Sequence, residues 1–219
     1  MVLQKKDFIE VEFTGKIKDG EIFDSNIKKN LENLNPNANP KPLVFCLGEG
    51  MFLKGVDDFL IGKEVGKYTI ELFPEKAFGP RIKELVQMVP IKIFQGQRLN
   101  PVPGAVFNFD GRIAKVLSVS GGRVMVDFNN PLAGKVVIYE IDVLRKIEDK
   151  NEKVKSFIDF LFRREMKFSI EDKKIVIEVE KNLAKLVEMF KDKFKDVLDL
   201  DLEIKELEGT QENKEKESP

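Results

Sequence analysis

The chain of 219 residues contains no histidine and a single cysteine, Cys46. Without histidine it can form neither a Ser-His-Asp triad nor a Cys-His pair, and zinc sites built from Cys and His are excluded. One cysteine cannot form an internal disulfide, which favours a reducing compartment. No apolar run reaches the length of a membrane span, and residues 1–6 lack the apolar stretch of a secretory signal. We therefore expect a cytoplasmic protein with no membrane association.

Excess charge of either sign is also lacking. The chain has 37 basic and 38 acidic residues, a formal net charge of −1. Such a balance gives no global attraction to phosphate backbones, so nucleic acid is not an expected partner. No spacing of potential ligands indicates a metal, and we expect neither a metal nor a cofactor. The hydrophobic fraction of 42% suffices for buried cores, and the length allows one large domain or two to three small ones.

Alternating apolar residues in the first 150 residues predict antiparallel strands. Ile9, Val11 and Phe13 alternate with acidic residues, and the Asp19-Gly20 pair between two apolar runs is typical of a hairpin turn. Further predicted elements are strands near 43–47, 68–72 and 137–143, one short helix between Gly55 and Gly62, and a surface loop from Asn30 to Pro42. The pattern predicts an α+β fold with one helix on an antiparallel sheet.

Two further regions have their own character. Four short predicted strands, interrupted by prolines and by Gly121-Gly122, indicate a small all-β module at 85–129, inserted between 1–84 and 130–150. From 151 to 208 the pattern changes to helix, hairpin, helix and strand, which predicts a small α+β domain with Asn151 as a helix cap. In that region, one helix is expected through Leu183 to Phe194 and one strand through Leu198 to Ile204. The polar residues 209–219 predict a disordered tail.

Three clusters in the first region carry a family resemblance: Val11–Gly15 with Gly20–Ser25, Leu43–Gly48 with Phe52–Val56, and Ala77–Gly79. They resemble the opening hairpin, the strand leading to the helix, and the loop before the flap of FKBP-type peptidyl-prolyl cis–trans isomerases. The insert, followed by Asn130–Lys135, is similar to the SlyD subfamily, whose insert-in-flap domain binds unfolded chains. Long archaeal members resemble this chain in having a C-terminal extension. The resemblance covers about 150 residues.

The resemblance implies a proline-binding pocket and a reaction that needs no nucleophile, because only rotation about the X–Pro bond is catalysed. The implied catalytic residues are Asp24, Phe13, Phe52, Leu53, Val56, Phe78 and Tyr139, with Phe23 and Leu43 binding substrate. For the insert, we expect an apolar client-binding surface formed by Val86, Met88, Val89, Phe94, Val106, Phe109 and Met125. The implied partners are unfolded or partly folded polypeptides that contain X–Pro bonds.

Three departures from the family pattern affect this site. Phe13 and Phe78 stand where the family usually has tyrosine, and Val56 stands where it often has tryptophan. The missing hydroxyls remove hydrogen bonds, so we expect the shape and dryness of the pocket to do most of the catalysis.

Some alternatives remain open at the level of sequence. Asp24 either orients the carbonyl-binding region electrostatically or accepts backbone hydrogen bonds in its own turn. Phe23, Phe45 and Phe59 also fit plain core positions, and about half of the apolar residues of the insert should fill its own core. The chain is either an isomerase with chaperone activity or a holdase with vestigial isomerase activity. The region 151–208 could support a homodimer or bind clients.

Overall fold

The computed structural model describes residues 1–34, 40–109 and 111–207. In chain order, the strands are β1 (Phe8–Ile17), β2 (Ile22–Ser25), β3 (Leu43–Cys46), β4 (Gly66–Leu72), β5 (Val86–Pro90), β6 (Val106–Phe109), β7 (Arg112–Ser120), β8 (Arg123–Asp127), β9 (Val137–Lys146), β10 (Lys167–Glu171), β11 (Lys174–Glu180) and β12 (Asp201–Leu207). The helices are α1 (Lys28–Leu34), α2 (Lys54–Leu60), α3 (Ile91–Gly96), α4 (Lys150–Phe162), α5 (Lys181–Glu188) and α6 (Lys191–Leu198). The predicted α+β fold with antiparallel sheets is confirmed.

The chain divides into two compact units. The first comprises Met1–Phe13, Asn26–Tyr68 and Ile141–Pro219, and the second comprises Thr14–Ser25 and Thr69–Glu140. A five-stranded sheet has the order β2-β1-β9-β4, with β3 also paired to β1. The predicted hairpin is present between β1 and β2, with Asp19 in the left-handed conformation at φ 57°.

In the first unit, the C-terminal elements share one apolar core with the beginning of the sheet. Phe8, Cys46 and Ile147, from β1, β3 and the residue after β9, are buried in the same cluster as Phe157 of α4 and Phe194 of α6. The rings of Phe157 and Phe194 meet edge to face at 5.2 Å, a favoured aromatic geometry. Residues 151–207 therefore supply most of this core, and residues at the ends of the strands complete it.

The C-terminal sheet has the order β10-β11-β12. β10 and β11 form the predicted hairpin, and β12 runs parallel to β11, with Ile175 opposite Leu202. A parallel neighbour requires a crossover, and α5 and α6 supply it. Asp149, and not the predicted Asn151, caps α4: its carboxylate accepts a hydrogen bond from the Glu152 N–H at 2.8 Å.

In the second unit, the inserted region forms a four-stranded antiparallel sheet of order β5-β8-β7-β6. Helix α3 places Phe94 in the core of this sheet, against Ala114, Val116, Val124 and Val126. The expectation of an all-β module was therefore wrong in this respect. The helix has six residues and begins after Pro90, so it is too short to show a helical period in the sequence.

Three other boundaries differ from expectation. Helix α1 occupies part of the predicted loop from Asn30 to Pro42; residues 35–39 of that loop lie outside the described residues. The single helix expected through Leu183 to Phe194 is two helices, because the Phe190 N–H turns back to the Val187 carbonyl at 3.1 Å. The last strand begins at Asp201, since Asp199 adopts a left-handed conformation that ends α6. The predicted disordered tail, 209–219, also lies outside the described residues.

None of the helices in the described part of the chain is both long enough and apolar enough to cross a membrane.

Candidate active site

The first group of expected site residues lies in the first unit, around the ring of Phe52. Phe13, which is almost fully buried on β1, meets Phe52 edge to face with ring centroids 5.0 Å apart. The ring of Phe45 on β3 also stacks with that of Phe52, with centroids 5.2 Å apart. Phe45 is buried, as its alternative assignment to the core requires, whereas Phe52 is only half-buried. The ring of Phe52 is thus held in place by Phe13 and Phe45, while part of its surface stays accessible to solvent.

An asparagine that the sequence did not single out fixes the backbone at Phe13. The Oδ1 atom of Asn26 accepts a hydrogen bond from the Phe13 N–H at 2.7 Å, and its Nδ2 donates to the Val11 carbonyl at 2.9 Å. The Asn26 N–H in turn donates to the Phe13 carbonyl at 3.2 Å. Asn26 therefore supplies hydrogen-bond partners to the backbone of β1 just beyond the point where its pairing with β3 ends. No local sequence motif predicts this role.

Helix α2 begins next to Phe52 and contributes two more expected residues. Leu53 is the N-cap, and its carbonyl accepts the Val56 N–H at 2.9 Å. Val56 is fully buried and Leu53 half-buried. Leu43, the remaining expected residue of this unit, is half-buried at the start of β3 and opposite Val11.

Asp57, the residue after Val56, is a buried carboxylate that was not expected from the sequence. Only 3% of its surface is exposed, and the backbone N–H groups of Gly48 and Gly50 donate to it. Its Oδ1 atom has no hydrogen-bond partner among the described residues. Burial outweighs these two hydrogen bonds and raises the pKa of Asp57 to about 6. The carboxylate holds the loop that precedes Phe52 and Leu53.

The second group lies in the second unit, around the ring of Phe23 on β2. Phe23 meets Phe78 edge to face at 5.7 Å and Tyr139 at 5.9 Å. Tyr139 is buried on β9, while Phe23 and Phe78 are half-buried. Burial, and after it the negative charge of Asp24, raises the pKa of the Tyr139 hydroxyl well above its ordinary value.

Gly15 allows this aromatic cluster to approach the sheet. A Cβ atom at position 15 would lie 3.0 Å from both the Phe23 Cζ and the Tyr139 Cε1 atoms. That separation is shorter than ordinary van der Waals contact, so a larger residue would displace both rings.

Asp24 lies opposite Gly15 on the exposed side of the β1–β2 hairpin. Although its side chain reaches solvent, neighbouring groups desolvate it in part and raise the pKa of its carboxyl, while the Ser25 backbone N–H opposes this effect. The hydrogen bond from Ser25 is what a carboxylate that stabilises its own turn would make. The partial desolvation is what a carboxylate that acts electrostatically on a substrate would need. Asp24 therefore has features of both roles.

The expected client-binding residues of the insert fall on two different faces of its sheet. Val86, Met88, Val106 and Met125 share the outer face, where Met88 pairs with Met125 across β5 and β8. Met88 is 54% exposed and Val106 is 59% exposed. Ile113, which is 62% exposed, extends this apolar face, although it was not expected from the sequence.

Three of the expected residues do not belong to an outward-facing surface. Phe94 has no exposed surface, and Val89 and Phe109 pack against the same core. The rings of Phe94 and Phe109 meet edge to face at 5.3 Å. These three side chains hold α3 on the inner face of the sheet, as alternation along a strand allows.

The pKa of Asp57 gives a pH-dependent stability. Its ordinary pKa of about 3.9 applies in the unfolded chain, so the folded state binds the proton more tightly. We expect Asp57 to lower the free energy of unfolding as the pH rises from about 4 to about 6, by at most about 3 kcal/mol. In Asp57→Asn, whose single side-chain oxygen can take the place of the carboxylate oxygen that accepts from Gly48 and Gly50, this loss should disappear. Urea unfolding followed by circular dichroism across this pH range measures it.

The matched control for this prediction is Asp192→Asn, which neutralises an exposed carboxyl of α6 that is not among the charges acting on Asp57. It should keep the wild-type pH dependence. An equal slope in wild type and Asp57→Asn would contradict the assignment.

Comparison with known proteins gives the family of the chain. Residues 2–104 match the family model described as FKBP-type peptidyl-prolyl cis-trans isomerase, and residues 87–132 match the model described as FKBP26, IF domain. The chain is 31% identical over 146 residues to the short-type peptidyl-prolyl cis-trans isomerase of Methanocaldococcus jannaschii, covering 65% of this chain and 92% of that protein.

Two bacterial relatives are similar to the same region. The FKBP-type 16 kDa peptidyl-prolyl cis-trans isomerase of Escherichia coli is 32% identical over 148 residues, which are 65% of this chain and 92% of the relative. The FKBP-type peptidyl-prolyl cis-trans isomerase SlyD of Aeromonas hydrophila is 30% identical over 138 residues, 62% of this chain and 60% of the relative.

These matches agree with the α+β fold and with the three clusters of motifs in the first 80 residues. The chain therefore belongs to the FKBP-type peptidyl-prolyl cis–trans isomerase family, whose members catalyse rotation about X–Pro peptide bonds.

Proposed function

We propose that this isomerase accelerates proline-limited protein folding and that the outer face of its inserted module holds the unfolded chain during the reaction. The observation that supports the second part is the apolar face of Val86, Met88, Val106, Ile113 and Met125, which the core of the module does not use. The domains that we assign to these activities are 1–84 with 130–150 for isomerisation and 85–129 for client binding.

The proposed mechanism needs no covalent step. Rotation about an X–Pro bond is opposed by amide resonance, with a barrier of about 18–20 kcal/mol. The twisted amide is less polar than the planar one, so an apolar environment favours it over the solvated ground state. A preference of about 1.4 kcal/mol gives a tenfold acceleration.

Each aromatic group contributes a part of this environment in the proposal. Phe13, Phe52, Leu53 and Val56 supply an apolar surface that Asn26 and Asp57 hold in place. Phe23, Phe78 and Tyr139 supply a second one, with the charge of Asp24 at its border. Since phenylalanine replaces tyrosine at positions 13 and 78, shape rather than hydrogen bonding supplies most of the proposed catalysis.

Substitution of Asp24 tests the electrostatic part of this proposal. In Asp24→Ala we expect kcat/KM on a proline-containing tetrapeptide to fall about tenfold, which corresponds to about 1.4 kcal/mol. The reason is that the partly desolvated carboxylate orients the field felt by the twisting amide. A protease-coupled isomerisation assay measures the loss, and refolding of a proline-limited protein checks it on a natural substrate.

Glu21→Ala is the matched control, because it removes an exposed carboxylate from the same hairpin. It should leave kcat/KM unchanged. Undiminished activity in Asp24→Ala would remove the carboxylate from the mechanism, and no acceleration by the wild type would refute the proposed folding activity.

The outer face of the insert is tested by adding charge to it. The double change Met88→Glu and Ile113→Glu should weaken binding of a permanently unfolded protein at least tenfold and slow the catalysed refolding of proteins. The tetrapeptide should still be isomerised at the wild-type rate, because a short substrate does not need the holding surface. Fluorescence anisotropy of a labelled, reduced and alkylated protein measures the affinity.

Gln87→Glu controls for the added charge, since Gln87 is exposed on β5 but alternates away from the outer face. Equal losses on the tetrapeptide and on the unfolded protein would contradict the division of labour. If the chain binds unfolded protein but does not isomerise the tetrapeptide, the alternative of a holdase with vestigial catalysis is the correct one.

We also propose that the C-terminal region pairs two copies of the chain. In its support, β12 is an edge strand in the sheet formed by the described residues, and Leu186 and Met189 near the end of α5 are exposed. A groove of about 470 Å³ along β12 and α5 is lined by Ala184, Glu188, Lys191, Leu202, Glu203, Ile204 and Glu206.

Sedimentation velocity tests the pairing. The wild type should sediment as a dimer at micromolar concentration, and Leu186→Glu with Met189→Glu should sediment as a monomer, because charge in an apolar contact is costly to desolvate. Lys181→Glu on the same helix is the control and should remain dimeric. A monomeric wild type would contradict the proposal.

The proposed location is the cytoplasm. It is supported by the single cysteine, which is buried and whose pKa burial raises to about 12, as suits a reduced structural thiol.

A further inference from the structure

A groove in the first unit lies between the edge of strand β3 and one face of helix α4. It has a volume of about 340 Å³, within the range of ligand-binding clefts. On the strand side it is lined by Lys41, Pro42, Leu43, Val44, Phe45 and Met51, and on the helix side by Glu152, Lys155, Ser156, Asp159, Phe160 and Arg163. We call it the β3–α4 groove.

The strand side of the β3–α4 groove is an unpaired sheet edge. Among the strands that the structure describes, β3 pairs only with β1, and the Leu47 N–H donates to the Asp7 carbonyl at 2.9 Å at the end of this ladder. In an antiparallel ladder the residues alternate, so Phe45 and Leu43 also bond to β1 while Val44 and Cys46 direct their backbone groups outward. The Cys46 N–H confirms the direction, because it donates to the Met51 Sδ at 3.2 Å instead of to β1.

Val44 therefore presents a backbone N–H and a carbonyl to the groove. Within the described ranges, neither group meets a hydrogen-bond partner. The ligand that satisfies both groups at once is the backbone of another extended polypeptide, which would add a strand to the sheet edge. A helix or a nucleic acid offers no such pairing.

The side chains of the groove specify the polypeptide further. Its apolar lining, which includes Leu43, Met51 and Phe160, suits apolar side chains at alternate positions. Of the charged groups on the rim, Glu152 is paired with Arg145, and Lys155 is paired with Glu165 at 3.2 Å.

Two cations of the rim, Lys41 and Arg163, make no ion pair with the residues that the structure describes, and one carboxylate, Asp159, likewise makes none. The unneutralised charge of the groove is thus positive. An acidic side chain on the bound polypeptide complements it.

We infer that the β3–α4 groove binds an extended segment of an unfolded polypeptide by strand addition to Val44, with apolar side chains on its floor and an acidic side chain at its rim. The inference rests on the proposed function, because Leu43 lines the groove and is also a proposed substrate-binding residue. A client segment held at Leu43 continues along the same strand into the groove. The groove is an extended subsite for residues that flank the proline.

Hydrogen–deuterium exchange at the Val44 amide tests this inference directly. The probe is a short, proline-free peptide of alternating valine and aspartate, added to the full chain at about ten times its Kd. Exchange at Val44 should slow about tenfold, because the bound strand accepts this N–H. The same peptide with N-methylated backbone amides cannot complete the strand pairing and should give little protection. Residue-resolved exchange is read by NMR.

A variant that fills the groove gives an independent readout. Ser156 is half-buried on the helix side, and Ser156→Arg should abolish the protection of Val44 and weaken peptide affinity at least fivefold. Ser169→Arg places the same charge on the exposed face of β10, outside the groove, and should behave as wild type. Far-UV circular dichroism and thermal unfolding establish that both variants are folded.

Three results would overturn the inference: unchanged exchange at Val44 when the peptide is bound, unchanged affinity in folded Ser156→Arg, or protection of Val44 that rises with protein concentration in the absence of peptide. The last would mean that a second copy occupies the edge.

The tetrapeptide assay separates this inference from the proposed function. A wild type that does not isomerise the tetrapeptide refutes the proposed catalysis, while protection of Val44 still decides whether the groove binds peptide.

Discussion

The apolar core shared by Phe8, Cys46 and Ile147 with the C-terminal elements is the constraint on which the first unit depends. Phe8 begins β1, Cys46 ends β3 and Ile147 directly follows β9. Phe157 of α4 and Phe194 of α6 are buried in the same cluster. Burying a large side chain of this kind stabilises the fold by about 1.5–3 kcal/mol. The position of α4 beside β3 follows from this packing, and with it the β3–α4 groove. The C-terminal elements are thus packed directly against strands of the sheet.

Much of the fold could be predicted because apolar alternation decides which side of a strand is buried. Ile9 and Val11 are buried and their acidic neighbours are not, as the period of two requires. The missed elements are those whose physical cause is not periodic. Helix α3 depends on Phe94 finding a place in the insert core, and the break at Phe190 depends on one backbone hydrogen bond. Neither cause can be read from a short run of residue types.

The residues of the candidate site also divide into those that the sequence predicted and those that it did not. Family motifs place Phe13, Phe23, Phe52 and Phe78 in sequence, and their ring contacts agree with a local aromatic environment. Asn26 and Asp57 were missed because their partners are backbone groups, to which the residue types at those positions give no clue. In the insert, alternation predicted that only part of the apolar set faces outward. It could not assign Phe94, whose helix was not foreseen.

Cys46 links the chemistry of a thiol to the integrity of the shared core. Its side chain is fully buried, its N–H is held by Met51, and its raised pKa keeps the nucleophilic thiolate scarce. A thiol reagent or an oxidant can therefore reach this atom only when β3 separates from the elements that cover it. The chain has no other cysteine. The rate at which a thiol reagent modifies the folded protein therefore reports how often β3 opens locally, and no label has to be introduced to measure it.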